Sequence, residues 1–206
     1  HLQDLRTAGW VEVDKFQPCF TSKCQIDIQA SWTDIIPSDE NGIAPILQAS
    51  FDIECVAGDG VSFPESRKEK DVINQIGTTM YIYGQDNIKP FKHIITLKSC
   101  DPLEGVIVES YNTEREVLLA WAKLIEKIQP DILTGYNIYQ FDFEYIYERA
   151  KKLGIGYAYK NLSRLMAYEP PETKSGDFIC SKFLSSSAMG DNQLKFFLTP
   201  GLLHID

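Results

Sequence analysis

The sequence predicts an α/β domain built on a mixed β-sheet, with part of a small β-rich domain preceding it. Three strand-like runs follow one another with hairpin-length turns between them, which favours an antiparallel start to the sheet. A capped amphipathic helix, a short buried strand and a second helix come next. This order of elements is typical of α/β proteins, and 206 residues suffice for one domain plus a fragment of another.

The first 46 residues differ in pattern from the rest. Short alternating runs at residues 10–13 and 24–28 predict strands of a small β-rich unit. The turn-rich segment 37–42, followed by Pro45, is the predicted boundary. We therefore expect residues 1–46 to be the C-terminal part of a β-rich N-terminal domain and residues 47–206 to form the α/β domain.

The predicted sheet begins with long strands rich in β-branched and aromatic residues. These strands cover residues 47–56, 72–83 and 91–98, with turn residues between them. A short buried strand at 131–135 ends in glycine and is expected to join the same sheet.

The helices carry clear end signals. Thr113 and Glu116 fit a capping box, and the helix that they open is expected to end at Pro130. The apolar residues of this helix recur on one face; they are Val117, Leu118, Trp121, Leu124, Ile125 and Ile128. A second helix is predicted over residues 141–153, with Gly154 after its end. Beyond it the sequence predicts loops joined by short apolar pieces, the loops lying at 170–171, 175–176 and 185–190.

The charge balance argues against binding of duplex DNA. The net charge is −9, and residues 51–150 carry 17 acidic side chains against 10 basic ones. Phosphate contacts need Lys and Arg, so the acids are either a solvated face or ligands for cations. The five cysteines lack the spacing of a zinc site and fit reduced thiols of an intracellular protein. No apolar stretch approaches the ~20 residues of a membrane helix, so no membrane partner is expected.

Asp52 and Glu54 are the first candidate site residues. On a strand they would share one face, because side chains alternate, and would lie roughly 6.6 Å apart along it. That spacing suits two ligands of a cation pair. With 15 Asp and 14 Glu, however, about one Asp-x-Glu is expected by chance, and a second occurs at Asp142–Glu144. A solvated acidic face is therefore the alternative.

Asp142 is the third candidate, at the start of the second helix. It follows a strand that ends at Gly135, a position where α/β proteins often place their sites. An ordinary helix cap is the alternative. Asn137 and Phe141, which lie nearby, are candidates for bonding and stacking against a nucleotide, and a structural role is the alternative for each.

These segments resemble known sequence motifs. Residues 51–55 (Phe-Asp-Ile-Glu-Cys) resemble the first exonuclease motif of family-B DNA polymerases, and residues 135–142 resemble the second. The region Ile53–Gly154 is similar to the eukaryotic delta branch, and Gly9-Trp10 resembles the segment leading into that exonuclease. Residues 184–192 are most similar to the polymerases of large double-stranded DNA viruses.

The resemblance implies an RNase H-like fold and a proofreading 3′→5′ exonuclease that uses two divalent cations, Mg²⁺ or Mn²⁺. By this resemblance, Asp52 of this chain would bind both cations, Glu54 would bind one of them and Asp142 the other. Asn137 and Phe141 would hold the frayed single-stranded 3′ end. The implied partners are DNA and the remainder of the polymerase chain, with a sliding clamp as a further candidate. The implied location is intracellular, in the host nucleus or at a cytoplasmic viral replication site.

One family motif is missing. The third exonuclease motif, Tyr-x-x-x-Asp, supplies a fourth carboxylate, and none of the ten tyrosines is followed by Asp at that spacing. Asp206 is not expected to be its equivalent. We therefore expect an N-terminal fragment of a longer polymerase that is inactive on its own. A freestanding nuclease of the four-carboxylate type and a non-catalytic module that binds DNA or a partner remain as alternatives.

Overall fold

The computed structural model describes residues 5–166, 177–186 and 190–206. The strands of these ranges are β1 Val11–Val13, β2 Gln17–Pro18, β3 Ile28–Gln29, β4 Ile35–Pro37, β5 Ile46–Val56, β6 Val72–Tyr83, β7 Phe91–Leu97, β8 Ile107–Tyr111, β9 Ile132–Thr134, β10 Ile179–Ser186, β11 Gly190–Phe197 and β12 Leu203–Ile205. The helices are α1 Glu114–Ile128, α2 Asp142–Lys152 and α3 Gly156–Lys160, with a 3₁₀ turn at Trp32–Asp34. No helix in the described ranges is long and apolar enough to cross a membrane.

A six-stranded mixed sheet forms the centre of the chain, in the order β12-β9-β5-β6-β7-β8. Strands β5, β6 and β7 pair antiparallel, which confirms the predicted start of the sheet. Strand β9 pairs parallel with both β5 and β12, and β8 pairs parallel with β7. The carboxyl ends of β5, β9 and β12 consequently point to the same end of the sheet.

Aromatic packing joins one face of this sheet to the helices. The Phe51 ring of β5 lies 4.8 Å from the Trp121 ring of α1 and 5.6 Å from the Phe143 ring of α2. The Trp121 indole also donates a hydrogen bond of 3.2 Å to the Thr78 hydroxyl of β6, which satisfies its buried N–H. The apolar face of α1 is therefore buried, as its periodicity predicts.

The helix ends match the local signals of the sequence. Thr113 and Glu116 form both bonds of the capping box at the start of α1. Gln129 then adopts a left-handed conformation with φ 52° and closes the helix just before Pro130. Helix α2 begins one residue later than predicted, and Gly154 follows its end with φ 68°, a backbone conformation that favours glycine.

The predicted strand at residues 24–28 is wrong, since only Ile28 of that run enters a strand. The carboxylate of Asp27 accepts backbone hydrogen bonds from Thr21 at 2.6 Å and from Ser22 at 2.7 Å. These bonds fold the segment into a loop, an outcome that Asp favours over a strand.

The C-terminal region contains more regular structure than the sequence predicts. Residues 185 and 190, expected in a loop, lie in β10 and β11, which pair antiparallel as a hairpin. Strand β8 and helix α3 also lacked a sequence signal. The predicted loops at 170–171 and 175–176, and residues 187–189, lie outside the described residues.

The N-terminal segment hydrogen-bonds to the region after α3. The Lys23 amide donates to the Arg164 carbonyl at 2.7 Å, and the Met166 amide donates to the Thr21 carbonyl at 2.9 Å. Lys23 also forms a 3.1 Å ion pair with Glu126 of α1. The division of the chain into domains 1–46 and 47–206 stays a prediction.

The capping box predicts a measurable contribution to stability. Replacing Thr113 with Ala removes a side-chain cap, so the free energy of unfolding in urea should fall by about 1 kcal/mol. The control Lys123→Ala changes an exposed position of the same helix to a good helix former. An equal loss of stability in both variants would contradict the assignment of the cap.

Candidate active site

Asp52 and Glu54 lie on the exposed face of β5. Phe51 and Ile53, which alternate with them, are buried, so the predicted alternation of side chains is confirmed. A register shift between Glu54 and Cys55 interrupts the pairing with β6 directly after the second acid, and the pairing then resumes with Cys55 opposite Ile73. Both carboxylates therefore lie close to the carboxyl end of β5.

Asp142 is brought to the same strand by a hydrogen bond. Its side chain is only 2% exposed, and its Oδ1 accepts the N–H of Ile53 at 3.1 Å. Ile53 lies between Asp52 and Glu54, so this bond holds the Asp142 carboxylate against the strand that carries both acids. A helix-cap role alone does not explain this position, because the bond is made to β5, 89 residues away in sequence.

Gly135 allows the chain to pass close to β5 before α2 begins. A Cβ atom at this position would lie 2.5 Å from the Phe51 carbonyl oxygen and 2.4 Å from the Ile138 side chain. Both distances are too short for any larger residue. The glycine that ends the β9 segment is therefore a steric requirement for bringing Asp142 to Ile53.

The electrostatics of Asp142 link three of the acids. Burial, with a smaller contribution from the negative charges of Asp52 and Asp206, raises the pKa of the Asp142 carboxyl to about 6, although the Ile53 hydrogen bond opposes the rise. Asp142 is therefore within electrostatic range of both other carboxylates. A positive charge placed among them would relieve this repulsion.

Asp206 is not a candidate from the sequence, yet its charge acts on Asp142. It follows β12, and its carboxylate accepts backbone N–H groups of Ile138 and Tyr139, each at 3.3 Å. The parallel pairing of β12 with β9 is the reason that it lies here. A signal was present, since an acid follows a short apolar run, but that strand's neighbour could not be identified from the sequence.

The two predicted DNA-binding residues, Asn137 and Phe141, lie in the segment between β9 and α2 and differ in exposure. Asn137 is exposed and has φ 58°, and its carbonyl accepts the amides of Gln140 and Phe141 at 3.2 and 3.1 Å. Asn tolerates this left-handed backbone conformation, which supports a structural role for the residue. The Phe141 ring is half-buried and lies 5.5 Å from the Tyr145 ring.

Two further aromatic side chains are exposed beside these residues. Phe63 is 74% exposed, and its ring lies 5.8 Å from that of Phe141. Tyr136 is 90% exposed and lines a groove of about 500 Å³ that also contains Asp52. Sequence reasoning did not select either residue, because exposure of an aromatic ring depends on the tertiary fold.

The groove beside Asp52 runs across the open face of the sheet. Gly77 pairs with Asp52 in the β5–β6 ladder, and nothing lies within 4 Å of the position that a Cβ would occupy there. Thr79, Lys92 and Tyr136 also line the groove. A hydroxyl, a cation and an aromatic ring thus border the exposed acid.

Strand β11 contacts the segment between β9 and α2. The Lys195 amide donates to the Tyr139 carbonyl at 3.0 Å, and the Lys195 side chain pairs with Glu144. The Phe197 ring packs 4.5 Å from Phe143. Glu144, the acid of the second Asp-x-Glu, is therefore paired with a lysine and does not join the other carboxylates.

The carboxylates fit hard divalent cations by their chemistry. Mg²⁺ and Mn²⁺ prefer oxygen ligands, and Asp52, Glu54, Asp142 and Asp206 all offer them at one end of the sheet. The mutual repulsion felt by Asp142 also favours a cation there. Among the described residues, however, no three His, Cys, Asp or Glu side chains are grouped closely enough to hold a metal ion together.

Comparison with known proteins gives a family match over the whole chain. Residues 1–206 match the model of the exonuclease domain of DNA polymerase family B. The DNA polymerase delta catalytic subunit of Arabidopsis thaliana is 42% identical over 74% of this chain and 14% of its own length. The DNA polymerase of Acanthamoeba polyphaga mimivirus is 40% identical over 74% of this chain and 9% of its own length.

A third relative aligns over the full chain. The DNA polymerase of Paramecium bursaria Chlorella virus NY2A is 31% identical over 100% of this chain and 22% of its own length. The chain thus spans between about a tenth and a fifth of the length of these relatives. The mixed sheet and its helices have the architecture expected of an RNase H-like exonuclease domain. The chain belongs to the exonuclease-domain family of the family-B DNA polymerases, with relatives in both the delta and the viral branches.

Proposed function

We propose that this chain is the proofreading 3′→5′ exonuclease region of a replicative DNA-directed DNA polymerase. The reaction would be hydrolysis of the terminal phosphodiester at a single-stranded DNA 3′ end. The observation that carries the proposal is the bond from the Ile53 amide to Asp142, because it joins the two motif segments at one point. Family membership gives this geometry its chemical interpretation.

The proposed cofactor is a pair of divalent cations, Mg²⁺ or Mn²⁺, held by Asp52, Glu54 and Asp142. When bound, such a pair lowers the pKa of the attacking water and stabilises the leaving 3′ oxygen. Asp52 and Glu54 would offer their exposed carboxylates from the strand. Asp142 would offer the oxygen not bonded to Ile53, from a position fixed by burial.

Asp206 is a further candidate for this acidic group. Its carboxylate is bonded to the Ile138 and Tyr139 amides, which lie in the turn that leads to Asp142. We propose that it orients this turn and adds negative charge near the cations. This is a separate role from that of the missing Tyr-x-x-x-Asp carboxylate.

The proposed nucleic-acid contacts are aromatic. Phe141, which directly precedes Asp142, forms a pair of neighbouring rings with Phe63, and the exposed Tyr136 lines the groove that contains Asp52. Stacking of a base on such a ring stabilises single-stranded binding by about 1–3 kcal/mol per base and is independent of sequence. Asn137 would add hydrogen bonds to the same strand end.

Charge restricts the kind of DNA that fits. A chain of net charge −9 with exposed acids at the site repels the closely spaced phosphates of a duplex. A single strand that enters by its 3′ end places few phosphates near the acids. We therefore infer a frayed primer end as the substrate and DNA together with the rest of the polymerase chain as partners.

Partners and location beyond this follow from the relatives. Proteins named DNA polymerase or DNA polymerase delta catalytic subunit support a role in intracellular DNA replication. We propose the host nucleus or a cytoplasmic viral replication site as its location. A sliding clamp is proposed as an additional partner.

A second candidate function is a non-catalytic module that binds DNA or a partner. One observation favours it: the described acids do not form a group of three placed to hold a metal ion. Binding of Mn²⁺ separates the two functions, because only the catalytic one needs a cation on Asp52.

The first prediction from the proposed function concerns Asp52. Asp52→Asn removes a charged ligand without changing the size of the side chain, so excision should fall by about 100-fold or more. Excision is measured on a 3′-labelled single-stranded oligonucleotide with Mg²⁺, using the protein expressed from its intact gene, and DNA synthesis is followed in the same preparation. Synthesis should be retained.

The matched control is Asp86→Asn, which changes an exposed acid outside the site. It should leave excision within about two-fold of the unmodified protein. Unchanged excision in Asp52→Asn would remove Asp52 from the site.

The second prediction concerns the cations. Saturating Mn²⁺ at about 100 times its dissociation constant should stabilise the fold by about 2.7 kcal/mol, which is measured as a rise in the melting temperature. Asp52→Asn should remove most of this rise, and Asp86→Asn should not. A rise of the same size in all three proteins would show that Mn²⁺ binds elsewhere.

The third prediction concerns stacking. Phe63→Ala removes an exposed ring beside Phe141, so KM for a single-stranded oligonucleotide should rise about ten-fold with little change in kcat. Phe20→Ala is the control, since Phe20 is also exposed but lies in the N-terminal segment. Equal effects of the two substitutions would contradict a DNA contact at Phe63.

A further inference from the structure

We propose that Arg149 is a positioning residue for the β5–β6 loop (residues 57–71), and that it acts on the substrate through Phe63. This inference rests on the proposed exonuclease function. It adds a buried ion pair, remote from the reacting atoms, that determines where the DNA-stacking ring lies.

The guanidinium of Arg149 is 2% exposed and makes five hydrogen bonds. Nε and Nη2 donate to the two carboxylate oxygens of Glu114 at 2.8 and 2.5 Å. Nη1 donates to the carbonyls of Ser66 at 3.2 Å and Lys68 at 2.7 Å, and Nη2 also donates to the Glu69 carbonyl at 3.4 Å. This number of bonds equals the number of N–H groups that a guanidinium has.

Glu114 compensates the buried charge and ties three elements together. It lies at the start of α1 and also accepts the Ile73 amide of β6 at 2.9 Å. The pair therefore joins α1, α2 and the first residues of β6. A buried ion pair with this many hydrogen bonds defines one arrangement of its surroundings, because any other arrangement leaves a buried charge unsatisfied.

The loop is closed on itself and then fixed to one face of α2. The Asp71 carboxylate accepts the Gly58 and Glu65 amides, both at 2.8 Å, which brings the two ends of the loop together. The Tyr145 hydroxyl donates to the Asp71 carbonyl at 3.3 Å, and Lys152 forms an ion pair with Glu69.

The loop contacts of α2 follow the helical repeat. Tyr145, Arg149 and Lys152 recur at spacings of four and three residues and so share one face of α2. Asp142 precedes Tyr145 by three residues and extends the same face to the site. The loop and the buried acid are thus attached to one side of one helix.

Phe63 depends on this attachment for its position. It is 74% exposed and contacts the Phe141 ring, so its own packing contributes little to holding it. The three carbonyls bonded by Arg149 follow Phe63 by three, five and six residues. Loosening them would release the ring from Phe141 while leaving the sheet and the carboxylates in place.

The test uses Arg149→Lys in the protein expressed from its intact gene. A lysine keeps the positive charge opposite Glu114, but its single nitrogen cannot also bond three carbonyls. KM for a single-stranded oligonucleotide should rise about five- to ten-fold, with kcat within about two-fold of the unmodified protein. Arg115→Lys, an exposed change on α1, is the control and should alter neither constant.

A double variant distinguishes positioning from general stability. If Arg149 acts through Phe63, then Arg149→Lys combined with Phe63→Ala should raise KM no more than Phe63→Ala alone. Effects on KM that multiply, or a loss confined to kcat, would overturn the proposal. Glu114→Asp keeps the negative charge opposite Arg149 but shortens its reach, and it should give the same pattern if Arg149→Lys folds poorly.

Hydrogen exchange provides a measurement that does not depend on activity. In Arg149→Lys the amides of residues 58–70 should exchange faster, while those of β6 and α1 keep their protection. Unchanged protection of the loop would contradict the proposal that Arg149 positions it, even if KM rises. If the unmodified protein excises no DNA, the proposed function fails, and the exchange result still decides whether Arg149 anchors the loop.

Discussion

The hydrogen bond from the Ile53 amide to the Asp142 carboxylate is the constraint on which the candidate site depends. Asp142 is almost completely buried, and an unpaired carboxylate in that position would cost several kcal/mol. The strand supplies the donor at the one residue flanked by Asp52 and Glu54. The same bond that satisfies a buried polar group therefore assembles acids from two distant segments.

This assembly is electrostatically unfavourable without a counter-charge. Burial and the charges of Asp52 and Asp206 raise the pKa of Asp142 to about 6, which means that the fold holds the acid in an environment that disfavours its ionised form. Purely structural clusters usually relieve such repulsion with a lysine or arginine, as Lys195 does for Glu144. None of the described ion pairs involves Asp52, Glu54 or Asp142, which supports the proposal that a cation balances their charge.

Local signals predicted much of the fold, and distant pairings account for what was missed. Strands β5 to β7 and helix α1 were predictable because alternation, turn residues and the Thr113 capping box act within a few residues. The predicted strand at 24–28 failed because one side chain, Asp27, competes for backbone amides. The positions of Asp206 and of the Arg149–Glu114 pair could not be predicted, since each depends on which strand or helix lies beside it.

Helix α2 carries residues for both parts of the proposed activity, which are cation binding and DNA binding. Its first residue, Asp142, is the buried acid, and seven residues later Arg149 holds the loop that carries Phe63. A rigid helix transmits position along its length, so the acids and the stacking ring keep a fixed separation. In the proposed activity, that separation would set how far the 3′ end enters before its bases meet Phe63 and Phe141. A change at Arg149 would therefore weaken binding of the DNA strand, measured as a higher KM, with little effect on the rate of the chemical step.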